Sequence, residues 1–320
     1  MNRAAAPLVL GLIAAASALA ARPAPRAARP APRAAQWTAP GTLVAVLSAE
    51  PGPCLTIPAD PQRARSIAIG ASAFRAPLLL GGQAARSGLS CNSCHRGGHD
   101  NPAFSYPGLS GAPGTADVTA SLFSSHRGDG LFNPRPIPNL SGEKLALRID
   151  QSGAPDALEP FIRGLITEEF DGPVPPPAVL TGLADYVRAM SPAACTAPVP
   201  IDLAGALRHI DTALDNARVL AAAGDGAAAR LMISAARSEL GLIDERYALP
   251  GLISKAAPLR RAAAALGEIE RRMTADPAGA LTALDRWKRG AEAWKGPLRS
   301  TETRSLYNPV VLARTLSPGQ

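Results

Sequence analysis

Five consecutive residues, Cys91-Asn92-Ser93-Cys94-His95, constrain this 320-residue chain more than any other stretch. The pattern Cys-x-x-Cys-His matches covalent attachment of a c-type haem: each thiol forms a thioether to a vinyl group, and the adjacent histidine turns under the macrocycle to ligate iron. Two other chemistries use Cys-x-x-Cys. Zinc needs further ligands, and the nearest, His99, yields only the cramped set Cys91, Cys94, His95 and His99 with no second knuckle. A thioredoxin-type dithiol lies between a strand and a helix, whereas Ser87-Gly88-Leu89-Ser90 before the motif reads as loop. The expectation is one haem c on Cys91 and Cys94 with His95 as the metal ligand, and therefore a redox role.

The beginning of the chain supplies the compartment that such attachment requires. Residues 1–20 combine Arg3, an apolar run and the small-x-small end Ala18-Leu19-Ala20, the form of a cleaved signal peptide. Pro7, Gly11 and the many alanines leave the run weakly hydrophobic, so a membrane tether follows only if the leader stays uncleaved. The expected location is the periplasm.

A net charge of +7 resembles a nucleic-acid binder until the charges are placed. Five arginines and no acid fall within residues 1–35, residues 36–195 carry net −2, and residues 196–320 carry net +4. With the excess concentrated in and just after the leader, no nucleic-acid partner is expected.

If haem takes the middle two of four cysteines, Cys54 and Cys195 remain, and in an oxidising compartment they are expected to bridge. Closing so long a loop stabilises by at most roughly 4–5 kcal/mol in the chain-entropy picture.

Residues 21–40 form a Pro/Ala/Arg-rich linker. Asp60-Pro61 supplies an N-cap and a first-turn proline for a helix through about Phe74. From Gly81 to about Pro138 the chain is rich in Gly, Pro, Ser and Asn, a loop whose interior a haem would fill. Helical pattern resumes at Asp156 towards Phe170, then from Pro177 with Leu180, Leu183, Val187 and Met190 on one stripe. Residues 54–197 thus read as a mono-haem cytochrome c domain. Beyond Pro200, four apolar stripes predict four helices: Leu203 to Leu214, Met232 to Ile243, Leu259 to Met273, and Leu281 to Trp294. Short breaks between them give an antiparallel helical bundle over residues 200–320, and an all-α chain.

Ile69-Gly70-Ala71-Ser72-Ala73-Phe74, Ala76-Pro77-Leu78-Leu79-Leu80 and Ser87-Gly88-Leu89-Ser90, leading into the haem motif, resemble the corresponding segment of the bacterial di-haem cytochrome c peroxidase family. Asp129-Gly130 resembles that family's Asp-Gly loop, and Leu183-x-x-Tyr186-Val187-x-x-Met190 the closing helix of class I cytochromes c. The similarity covers roughly residues 60–190 and implies a class I cytochrome c-like domain, haem attachment and redox chemistry. The family carries two haem motifs and this chain one, with a helical bundle where a second cytochrome domain would stand.

The sixth iron ligand separates a carrier from a catalyst, since an open position admits peroxide. Met190 offers sulfur but stands where the closing helix usually has a core leucine. His126, in the loop expected near the haem, reads as a ligand, an acid/base group or a plain loop histidine. Glu168, Glu169 and Asp171 form an acidic helix end able to meet a basic partner, or simply solvated. The reading is an exported electron-transfer cytochrome serving a redox partner protein, with a peroxidase-type haem enzyme as the main alternative and a haem sensor or scaffold as a third.

Overall fold

A computed structural model describes residues 31–141 and 157–316. The expected signal peptide, the first part of the linker and Asp156 lie outside the described residues. The chain is mostly helical.

The chain first meets the rest of the protein earlier than composition indicates. Arg33–Trp37 forms a 3-10 turn with Trp37 buried. The Ala39 amide donates to Ala103 O and the Ser105 amide to Trp37 O, and Arg33 pairs with Glu245. The 31–40 stretch, read from composition as the end of the linker, is therefore held against the rest of the protein. Helix α1 (Leu43–Ser48) and strand β1 (Ala49–Glu50) follow.

Helix α2 (Pro61–Phe74) starts where the sequence places it: the Asp60 carboxylate accepts from the Arg63 amide, and Pro61 occupies a position that needs no donor. Short helices α3 (Pro77–Leu80), α4 (Gly82–Ser87) and α5 (Cys91–Cys94) come next. The following loops include a two-residue antiparallel ladder of β2 (Thr115–Ala116) with β3 (Arg135–Pro136). Helix α6 (Leu158–Gly164) ends in one wide turn, Leu165–Glu169. Helix α7 (Pro177–Arg188) buries Val179, Leu183, Tyr186 and, just beyond it, Met190. Leu180 and Val187, expected on the buried stripe, are half-buried. In so apolar a helix two adjacent stripes compete, and contact with α2 selects the one bearing Tyr186, whose ring lies 5.2 Å from that of Phe74.

Helices α2 and α7 cross backbone to backbone. A Cβ on Gly70 would lie 1.9 Å from Gly182 O, so only hydrogen fits there. Strand β4 (Val199–Pro200) returns antiparallel beside β1.

The second half holds α8 (Leu203–Ala222), α9 (Gly226–Arg246), α10 (Ala257–Arg272), α11 (Pro277–Arg289), α12 (Glu292–Arg299) and α13 (Pro309–Leu316). Asp202, Asp225 and Asp276 each cap a helix by accepting an amide three residues on. The stripe from Leu281 to Trp294 is divided at Gly290 between α11 and α12, where one helix was expected. Helix α9 lies against α8 on one side and α10 on the other, and α8 also meets α2. One apolar core consequently runs through both halves, from Ile67, Leu79 and Leu183 to Ile210, Leu214 and Met232. A smaller cluster, Leu47, Leu306 and Leu312, joins α1 to α13. No helix of the described residues is long and apolar enough to cross a membrane.

Candidate functional site

Helix α5 is a single turn, too short to persist by propensity, and side chains fix it instead. Ser90 and Ser93 form a capping box in which the Ser90 amide donates to Ser93 Oγ (3.0 Å). The Asn101 amide group donates to Ser93 O at 2.8 Å. Asn92 Nδ2 donates to Glu50 Oε1 (3.0 Å) while its Oδ1 accepts from the Gly97 amide (3.0 Å). Both variable positions of the motif are thus used to hold its backbone.

Glu50 also accepts from Arg75 Nη2, at 2.8 and 2.7 Å. Burial alone would push its carboxyl up, but the Arg75 guanidinium and the Asn92 amide outweigh it and hold the pKa at about 2. Arg96, just after the motif, donates to Val46 O (2.7 Å) and Ala49 O (2.8 Å). β1 and the end of α1 are in this way bound to α5 itself and to the residue just after the motif.

His95 Nδ1 lies 3.0 Å from Pro138 O. A carbonyl only accepts, so Nδ1 carries the hydrogen and Nε2 keeps its lone pair, the arrangement that orients a metal-binding imidazole. Burial lowers the His95 pKa to about 4, against opposing contributions from the Pro138 carbonyl and Asp100, so the ring is neutral at pH 7. Cys91 and Cys94 are unbridged. Burial pushes both thiols up to about 12, opposite to the depressed thiol of a thioredoxin-type nucleophile. Both pack against the apolar core, which also meets Tyr106, Leu140 and Phe170. Two neutral thiols on one turn beside an imidazole with Nε2 free form a donor set that fits a covalently held haem.

The chain matches no protein-family model, no curated protein and no solved structure.

The other expected residues are placed elsewhere. Cys54 and Cys195 are disulfide-bonded, as read from the sequence. His99 turns away from the motif, its Nε2 3.1 Å from Cys54 Sγ and 3.0 Å from Gly52 O, so the cramped zinc set is not assembled. The Met190 sulfur packs on Gly98, filling the space a Cβ would take there. His126 is exposed on its loop, with Nδ1 3.0 Å from Asp171 Oδ1. The acidic helix end is occupied from within: Arg127 meets Glu168 at 2.7 Å and Glu169 at 3.1 Å, and Asp171 accepts from the Ser125 amide and hydroxyl. Backbone hydrogen bonding by Ser125 outweighs partial burial in lowering the Asp171 pKa.

Sequence reasoning missed Glu50, Arg75 and Pro138. Glu50 and Arg75 carry no motif, and the Pro138 contribution is a carbonyl, which every residue possesses.

Proposed function

We propose that this chain is an exported c-type cytochrome with one covalent haem, working in electron transfer with a redox partner protein. The observation that carries the reading is His95 Nδ1 on Pro138 O beside two unbridged thiols on one turn. Cys91 and Cys94 would hold the group by thioethers, each S–H adding across one vinyl double bond, and His95 Nε2 would take the iron. Bound there, haem supplies a one-electron iron couple. The chain's own part is orientation: Pro138 fixes the imidazole, and the Ser90–Ser93 box with the Glu50–Asn92 and Asn101–Ser93 bonds holds the turn. Cys91 and Cys94 are half-buried and pack against the apolar core, which lowers the dielectric around the site.

Crossed helices α2 and α7 at the two ends of a long loop-rich stretch support a class I cytochrome c-like domain over residues 54–197, with the later helices as an antiparallel bundle. The loop after the motif exposes Leu122, Leu131 and Phe132, apolar surface that a macrocycle could cover. The leader and the Cys54–Cys195 bridge both favour the periplasm.

One observation favours the second reading, a peroxidase-type haem enzyme. The Met190 sulfur packs on Gly98 and His126 Nδ1 lies on Asp171, so each named sixth ligand already has a partner within the protein. The absorption spectrum of the ferric protein decides: low-spin, six-coordinate iron supports the carrier, and high-spin iron the enzyme. Colour that leaves the polypeptide on a denaturing gel, after expression with a c-type maturation system, would refute both.

A further inference from the structure

Cys54 is completely buried, whereas its partner Cys195 is exposed, so an incoming thiolate has one sulfur to attack. Against the buried sulfur stands His99, with Nε2 3.1 Å from Cys54 Sγ and 3.0 Å from Gly52 O; a carbonyl only accepts, so Nε2 carries a hydrogen and presents it between the two. An imidazole in that position stabilises a thiolate and makes Cys54 the better leaving group. The two chain segments are also tied independently of the bridge. The Ser191 amide donates to Cys54 O (2.7 Å), the Thr56 amide to Ala189 O (2.9 Å) and the Thr196 amide to Pro53 O (3.3 Å). Leu55 and Met190 pair as an isolated β-bridge. Opening the sulfur–sulfur bond would leave both cysteines in place, ready to close again.

We propose that Cys54–Cys195 with His99 is a thiol–disulfide exchange site for a dithiol substrate, attacked at Cys195. A substrate thiolate forms a bond to Cys195 Sγ, the Cys54–Cys195 bond breaks, and its electron pair goes to Cys54 Sγ, which His99 Nε2–H receives. The second substrate thiol then displaces Cys195. The substrate leaves as a disulfide, two electrons pass to the protein, and the two thiol protons end on Cys54 and Cys195.

The test uses the full-length oxidised protein in native buffer, with dithiothreitol as the dithiol and glutathione as a trap for the mixed disulfide. Alkylation followed by intact mass and peptide mapping reads the cysteines. The expected results are opening without denaturant, the glutathione adduct on Cys195, and reclosure when dithiothreitol is replaced by oxidised glutathione. His99→Gln, checked for native circular dichroism, should slow opening on the order of tenfold. Opening only after denaturation, an adduct on Cys54, or equal rates for His99→Gln and wild type would each overturn the proposal. Should His99→Gln fail to fold, the adduct position and native-state opening in wild type still decide. Alkylation of Cys91 and Cys94 in the same maps would count against the haem reading alone, so the two failures are distinguishable.

Discussion

Replacing Glu50 by Gln should destabilise the protein by about 3 kcal/mol at neutral pH, and the loss should vanish in acid. The Glu50 and Arg75 side chains are 14% and 24% exposed, so the pair is little screened by solvent. Its carboxyl is held near 2 against an ordinary 4.5, a difference of roughly 2.5 pH units, or about 3 kcal/mol. Removing one partner of a buried pair independently costs about 3–5 kcal/mol, because Arg75 is left without its anion. The sign follows from proton uptake. Between pH 4.5 and 2 the unfolded chain binds a proton at Glu50 that the folded chain refuses, so the contribution is complete above pH 4.5 and is lost as pH falls towards 2.

Thermal melts followed by circular dichroism at pH 7 and at pH 2.5 measure the effect. At pH 7 the variant should melt about 10 °C below wild type, taking about 2–4 °C per kcal/mol for a chain of this size. At pH 2.5 the two curves should draw together. A melting temperature within about 2 °C of wild type at pH 7 would refute the reasoning, as would an undiminished gap in acid. Glu50→Met with Arg75→Met should recover much of the loss, since an apolar pair leaves no orphaned charge.

Cys91→Ser with Cys94→Ser should abolish haem that survives denaturation, and either single substitution should leave one thioether, read by intact mass. Asn101→Ala deletes the donor to Ser93 O and the acceptor of the Ala103 amide at a buried position; urea unfolding should show a loss of about 1–3 kcal/mol. Arg246→Met should cost about 3 kcal/mol in the same assay, because the buried guanidinium donates to both Leu306 O and Leu47 O. A chain ending near Pro198 should aggregate or melt early in light scattering, since α2 loses its contact with α8 and the Ser72 hydroxyl its bond from Asn216; a soluble truncation with wild-type melting would count against a shared core.

The features legible in the sequence were those written in neighbouring residues. Asp60-Pro61 located the start of α2 because a cap and a fixed φ act within one turn. The stripes of α8, α9 and α10 were readable because each runs four turns or more. Helices α1, α3 and α4 are too short to show a period, and they exist because tertiary contacts bury Leu47, Leu79, Leu80 and Ala84. The division at Gly290 leaves the spacing of Leu284, Ala291 and Trp294 helical, so periodicity passes over it. Within the site, the motif named Cys91, Cys94 and His95, but the groups that position them come from far along the chain. Glu50 is 42 positions from Asn92, and Pro138 is 43 from His95.

The same long-range logic bears on what the second half of the chain does. The salt bridge from Arg33 to Glu245 ties the segment before α1 to α9. What α9 holds is residues 33–47: Glu245 takes Arg33, and Arg246 takes the Leu47 carbonyl. From there the chain leads directly to Ala49 and Glu50, the acceptors for Arg96 and Asn92 on either side of the motif's histidine. Strand β1, which carries those acceptors, pairs with β4 immediately before α8. A force on α9 therefore reaches the Cys-x-x-Cys-His turn through one short segment, and the helices after Pro200 act as a buttress for that turn.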